Sequence, residues 1–232
     1  MAMPLQAELR EIAPMSRENL QERVYRALRQ ALMRGAFPPG RSLTIRALAA
    51  ALKTSAMPVR EALRQLVAER ALAMLPNRSF GTPLMTVAQF DDLRRIRMRI
   101  EGFAAAEAAG RIDRETLLRL EEIDAEMAAA SRRVRRERFI ELNQEFHFTI
   151  YEAAGSAVLM PIIESLWLQI GPYLTFVFPD GERPQVTHAT HRPVIVALKR
   201  GDAAAAQAAL AADIDKAGEI LKRVATFAAE DG

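Results

Sequence analysis

The chain contains three histidines, His147, His188 and His191, and no cysteine. Thiolate zinc sites, disulfides and a cysteine nucleophile are therefore excluded, and any metal chemistry rests on imidazole and oxygen donors. Asn143 and His147 are four residues apart, so on a helix they share one face, as two ligands of one ion would. His191 and Asp213 flank a break at Gly201 and Asp202. If antiparallel helices meet there, His191 lies about 15 Å back along one and Asp213 about 17 Å forward along the other, at about 1.5 Å per residue. Asn143, His147, His191 and Asp213 thus form a candidate set converging inside a bundle. Its nitrogen and oxygen donors suit a divalent ion such as Zn, Ni, Mn or Fe(II). The same four residues also read as a polar pocket without metal. His188 is left outside the set. Arg97 either meets the carboxylate of a small organic acid bidentately or pairs with Glu101 one turn further on.

A second group of residues suits a polyanion. Residues 1–82 hold 13 Lys and Arg against 6 Asp and Glu, while the remainder holds 19 against 23. A basic front part on an acidic rear part suggests a nucleic-acid binder joined to something else. The elements of the front part agree. Leu20, Val24, Ala27, Leu28, Ala31 and Leu32 form one stripe of a helix over 17–34, stopped by Gly35. Thr44 caps a short helix over 45–52, and Ser55 caps a third over 57–70. Strand candidates follow at 71–75 and 80–85, with Pro76, Asn77, Arg78 and Ser79 as the hairpin tip. Three helices and a two-stranded ribbon are the order of a winged helix-turn-helix. In that motif the N-terminal end of the second helix of the pair enters the major groove. Ser55 and Arg60 stand at that end, Arg46 starts the preceding helix, and Arg78 tips the wing. These four are the candidate DNA contacts.

The rear part shows no strand pattern. Six helices are expected, over 88–110, 113–130, 133–154, 157–177, 191–200 and 203–229, an all-α bundle of six or seven helices. Pro193 requires that the fifth either begin near Thr190, with His191 in its first turn, or bend there. Phe146, Trp167 and Tyr173 are core or pocket wall. The division is a DNA-binding domain over 1–82, a linker over 83–87 and a helical effector domain over 88–232. The longest apolar run, 158–178, is broken by Glu164, Gln169, Gly171 and Pro172, so no membrane span is expected. With no leader-like N-terminus, the chain reads as cytoplasmic.

Several of these segments together resemble a known family. Pro39-Gly40, Leu48-Ala49, the run Pro58-Val59-Arg60-Glu61-Ala62-Leu63, and Pro76-Asn77-Arg78 are similar to the N-terminal domain of GntR-type bacterial transcription regulators. The resemblance implies DNA contacts at Arg46, Ser55 and Arg60, and at Arg78 in the wing. The sequence departs from the family at Ala56-Met57, where Arg-Thr is usual, at Ser79, where glycine follows the wing arginine, and at Arg70, in place of a helix-ending glycine. Arg97 with Glu101, Phe146-His147, Tyr151 to Ser156, and His191 with Gly201-Asp202 resemble the FCD effector domain of the FadR subfamily. The resemblance implies a metal held by an Asp and three His. Here His147 and His191 match, Asn143 stands at the Asp position and Asp213 at the last His position.

The function expected is a DNA-binding transcription regulator, a repressor, acting as a homodimer on a palindromic operator. A small carboxylate metabolite, bound through a divalent metal in the helical domain, controls operator affinity. The alternatives are a metal-dependent hydrolase or lyase using the same helical site, and a non-specific architectural DNA-binding protein.

Overall fold

A computed structural model describes residues 20–75, 79–178 and 188–229. The front part opens with α1 (Leu20–Met33), whose stripe of Val24, Leu28 and Leu32 is buried. After a turn come β1 (Ser42–Leu43), α2 (Ile45–Ala51) and α3 (Ala56–Ala68). Thr44 caps α2, its hydroxyl accepting from the Ala47 amide. α1 packs on α3, whose inner face is Val59, Ala62, Leu63 and Leu66. Two short strands, β2 (Ala73–Met74) and β3 (Phe80–Gly81), follow.

The sheet is three-stranded and antiparallel, in the order β1-β3-β2, with Phe80 opposite both Leu43 and Met74. The expected wing had two longer strands. β3 stops early because Pro83 has no N–H to give a ladder, and Thr82 turns its hydroxyl to the backbone, accepting from the Arg41 amide at 2.9 Å. β1 is too short to show any alternation of apolar and polar residues. The hairpin tip at 76–78, Arg78 included, lies outside the described residues.

The rear part is an all-α bundle: α4 (Val87–Ala109), α5 (Arg114–Arg132), α6 (Arg136–Ala153), α7 (Leu159–Ile170), α8 (His191–Lys199) and α9 (Ala203–Val224). Three of the six starts have a cap in their own side chains. Thr86 and Gln89 close a capping box on α4, Asp113 caps α5 and Asp202 caps α9. The expected helix over 157–177 is two elements, because Gly171-Pro172 ends α7 and the chain continues as a 3-10 helix, Gly171–Val177. α8 begins at His191, with Pro193 in the first turn, where a missing N–H costs nothing. The last helix ends at Val224 rather than near Ala229.

The two parts are docked through specific contacts. Arg29 pairs with Glu164 at 3.0 Å, and Arg34 with Glu141 at 2.9 Å and Gln144 at 3.0 Å. Gly171 lies against the end of α1, where a Cβ would stand 2.7 Å from Met33 Cα. The segment before α4 is tied down as well. The Met85 amide donates to the Tyr173 hydroxyl at 2.8 Å, and its carbonyl accepts from the Ala228 amide at 2.8 Å. Phe90, Tyr173 and Phe227 cluster beside it, with centroids 5.3 to 5.4 Å apart, Tyr173 stacked on Phe227 and Phe90 edge-on to Phe227.

Candidate functional site

The outer end of α3 is open. Ser55 and Arg60 are exposed, as is Arg46 in the first turn of α2. Ser55 occupies the capping position, but its hydroxyl makes no cap bond. Unlike Thr44, it is left facing outward. Met57, at the tip of α3, is 67% exposed, a large apolar side chain on a surface otherwise suited to phosphates. In the sequence it figures only as half of the departure Ala56-Met57, where the resembled family has Arg-Thr.

Three of the four sequence-predicted ligand residues meet in the bundle. His147, His191 and Asp213 are all buried, and one donor atom of each lies within 4.8 Å of the others. His147 Nε2 stands 3.3 Å from Asp213 Oδ2, and His191 Nε2 stands 3.8 Å from Oδ1. Helix geometry places them: His147 on the inner face of α6, His191 at the start of α8, and Asp213 midway along α9. Asn143, one turn before His147, lines the same small cavity of about 40 Å³ with Arg97, Trp167, Ile170 and Leu174. The Phe146 ring lies flat on His191, centroids 3.9 Å apart.

A chain of hydrogen bonds supports this cluster from behind. Glu101, wholly buried, accepts from Nε and Nη2 of Arg97, at 2.6 and 3.2 Å, and from the Trp167 indole N–H at 3.1 Å. It also accepts from the Tyr151 hydroxyl. The Tyr151 proton is thereby committed to Glu101, so its oxygen accepts from His147 Nδ1 at 3.1 Å. That fixes His147 with its proton on Nδ1 and turns Nε2 to Asp213. Nε2 and a carboxylate oxygen at 3.3 Å both present lone pairs, so a cation must sit between them: a proton on the ring or a metal ion. Two donors about 2.1 Å from one tetrahedral ion stand about 3.4 Å apart. Two imidazoles and a carboxylate therefore fit a divalent ion in both chemistry and spacing.

The electrostatics follow from burial and pairing. Burial alone pushes the Asp213 carboxyl up. The hydrogen bond from His147, the two imidazoles and a bond from Thr190 outweigh it and hold the group below the usual carboxylate range. Burial works against the charge of Arg97, but Glu101 reverses the balance and keeps the guanidinium firmly protonated. Burial and the Glu101 charge push the Tyr151 hydroxyl well above its ordinary value, so it stays a donor. Of the two sequence readings of Arg97, the structure shows the pairing with Glu101; the side chain also borders the cavity, with its Cζ 5.2 Å from the Trp167 ring centroid. Glu101, Tyr151 and Trp167 were not foreseen as support for the ligands. The one signal available was His147 and Tyr151 at four-residue spacing.

Comparisons with known proteins give a family match for each part of the chain. Residues 92–216 match the FCD domain, and residues 20–81 match bacterial regulatory proteins of the gntR family. The HTH-type transcriptional regulator McbR of Escherichia coli K12 is 34% identical over 151 residues, 65% of this chain and 68% of that one. The HTH-type transcriptional repressor RspR of the same strain is 23% identical over 222 residues, covering 96% of this chain and 95% of its own. The solved structure of E. coli McbR/YncC superposes with a TM-score of 0.83 at 29% identity, covering 89% of this chain and 99% of that one.

Proposed function

Because the chain belongs to the FCD-domain branch of the bacterial GntR-family regulators, and so is a DNA-binding transcription regulator rather than an enzyme, we propose that it is a repressor relieved by a small organic acid. The acid binds beside a divalent metal in the helical part. The domains are assigned as 1–82 for DNA and 88–232 for the effector. Arg46, Ser55 and Arg60 hold the operator, joined by Arg78, which follows β2 in the sequence. Two copies present two α3 helices to a palindromic site.

His147, His191 and Asp213 hold the ion, with Asn143 as a neutral fourth donor. When bound, the ion supplies positive charge and open coordination positions for a carboxylate or hydroxyl oxygen. The protein's own groups do the rest. Arg97, oriented by Glu101, offers a second positive group to the acid. Tyr151 keeps His147 in the tautomer that presents Nε2. Phe146 and Trp167 exclude water.

The observation that carries the sensing half is the place of the cavity in the fold. At about 40 Å³ it accommodates an ion and roughly two waters, at about 10–15 Å³ each. A larger acid must displace part of the wall, and that wall includes Ile170 and Leu174. These residues bracket Gly171, which is seated on α1. Effector binding therefore works against the docking of the DNA-binding part, a coupling typically worth about 1–3 kcal/mol.

The test is a gel-shift assay on DNA flanking the chain's own gene, with and without Zn, Ni or Mn and a panel of small carboxylates. Sequence-specific binding weakened by one metal–acid combination is expected. Absence of sequence-specific binding in every condition overturns the reading.

A further inference from the structure

The leading end of α3 carries apolar side chains on a surface otherwise made of donors. Ala56 and Met57 are the first two residues of the helix. Both are exposed, Met57 by 67%. Packing does not account for them. The inner face of the helix is complete without either, since Val59, Ala62, Leu63 and Leu66 are wholly buried. Met57 stands three residues before Arg60 and seven before Arg64, and Ala56 stands four before Arg60, so the four share the outer face. The first turn is also a poor seat for phosphate. Helix N-termini hold anions through free amides, but Pro58 has no N–H to give, and residues 55–59 contain no Lys or Arg.

We propose that Met57, with Ala56 beside it, reads thymine by packing on the C5-methyl group in the major groove, and so sets the base preference of this regulator at one or two operator positions. The inference rests on the reading above that α3 is presented to an operator, and names the chemistry it recognises there. Two arguments carry it. The first is chemical. The thymine methyl is the apolar group on the major-groove edge of the base pairs, and an apolar side chain is its partner. Neither Ala56 nor Met57 has a side-chain hydrogen-bond donor. Against the polar edges of guanine, adenine or cytosine they would displace water and give no bond in return. The second is reach. Met57 is long, unbranched and able to adapt to an irregular surface, and it projects from the tip that leads into the groove. Ser55 before it and Arg60 after it supply the polar contacts that fix its register on the duplex.

The test begins with the full-length chain and a random duplex pool, from which rounds of binding select an operator. Each thymine of the selected duplex is then replaced in turn by deoxyuridine, which keeps every hydrogen bond and removes only the methyl. Affinity, read by fluorescence anisotropy, should fall about fourfold at one or two thymines, the value of burying one methyl-sized group, and hold at the others. Met57→Gln, similar in length but polar, should abolish the loss at the thymine that Met57 meets, and Met57→Leu should preserve it. Position 57 is exposed, so both variants should melt like the parent. A selected duplex in which no deoxyuridine weakens binding overturns the proposal and leaves the regulatory reading intact. So does a loss that is the same in Met57→Gln as in the parent. A pool in which no sequence is enriched overturns both.

Discussion

Gly171 and Leu32 meet backbone to backbone, so closely that a Cβ on residue 171 would overlap the Leu32 carbonyl oxygen and stand 2.7 Å from Met33 Cα. Nothing but hydrogen fits between the effector bundle and the helix that carries the DNA-binding part. Gly171→Ala is expected to force the two apart at a cost of about 1–3 kcal/mol, as overpacking of a filled contact does. The expected result is a lower melting temperature and a weaker effect of the acid on operator affinity, with metal content unchanged. Calorimetry and titration of the operator complex measure both.

Glu101 is the buried hub of the helical part, holding Arg97, Tyr151 and Trp167. Glu101→Ala strands the Arg97 charge and should cost about 3–5 kcal/mol in urea unfolding. Glu101→Gln keeps the shape and should cost less, yet still loosen His147 through Tyr151. Metal affinity should then fall about 10–100-fold, as for other residues that orient a ligand.

The ligands themselves should show a larger effect. His147→Ala, His191→Ala and Asp213→Asn are each expected to lower divalent-metal affinity by more than that range, read by titration with a fluorescent chelator. Asn143→Asp adds a charged oxygen donor on the cavity wall and should raise affinity. An Asp213→Asn chain that binds metal like the parent would show that the ion, if any, sits elsewhere.

The DNA contacts separate by salt dependence. Arg60→Ala, on the leading end of α3, should cost about 1–3 kcal/mol and relax base preference. Arg46→Ala should weaken all sequences alike and reduce the salt slope by about 1. Fluorescence anisotropy on operator and scrambled DNA, over a range of KCl, distinguishes the two.

Val134 follows the last turn of α5 at φ +54, where the Val134 and Arg135 amides close back on the Ser131 and Ala130 carbonyls. A β-branched residue there pays the steric cost of a left-handed backbone, about 1–2 kcal/mol. Val134→Gly should recover on the order of 1 kcal/mol, seen as a higher melting temperature with unaltered DNA binding. Arg70, at φ +60 after α3, also holds a left-handed backbone, without a β-branch.

Much of this was legible in the sequence because its causes are local. Thr44 and Asp202 cap helices with their own side chains, and the stripe through Val24, Leu28 and Leu32 needs only the helical period. The levelling of His191 with Asp213 was legible from helix lengths, since a sharp turn at Gly201 fixes how α8 and α9 align, while His147 was marked by its spacing from Asn143 and by the family resemblance. The rest depends on contacts between distant residues. β1 exists because β3 offers an edge. Gly171 and Pro172 signalled a break, but an apolar run on both sides hid it. Tyr151 and Glu101 are 50 residues apart, and neither carries a mark of its role. Asn143 and Gln144 are neighbours, yet one faces the cavity and the other crosses to Arg34. That choice is made by how α6 is rotated in the bundle.

The depth of the ligand cluster has a kinetic consequence. His147, His191 and Asp213 are each at most 5% exposed, so no chelator can touch an ion while they hold it. Release waits on a parting of the helices, an excursion of the kind that governs hydrogen exchange in protein interiors. Stripping by EDTA should therefore proceed at a rate that does not rise with EDTA concentration, and small amounts of urea should speed it.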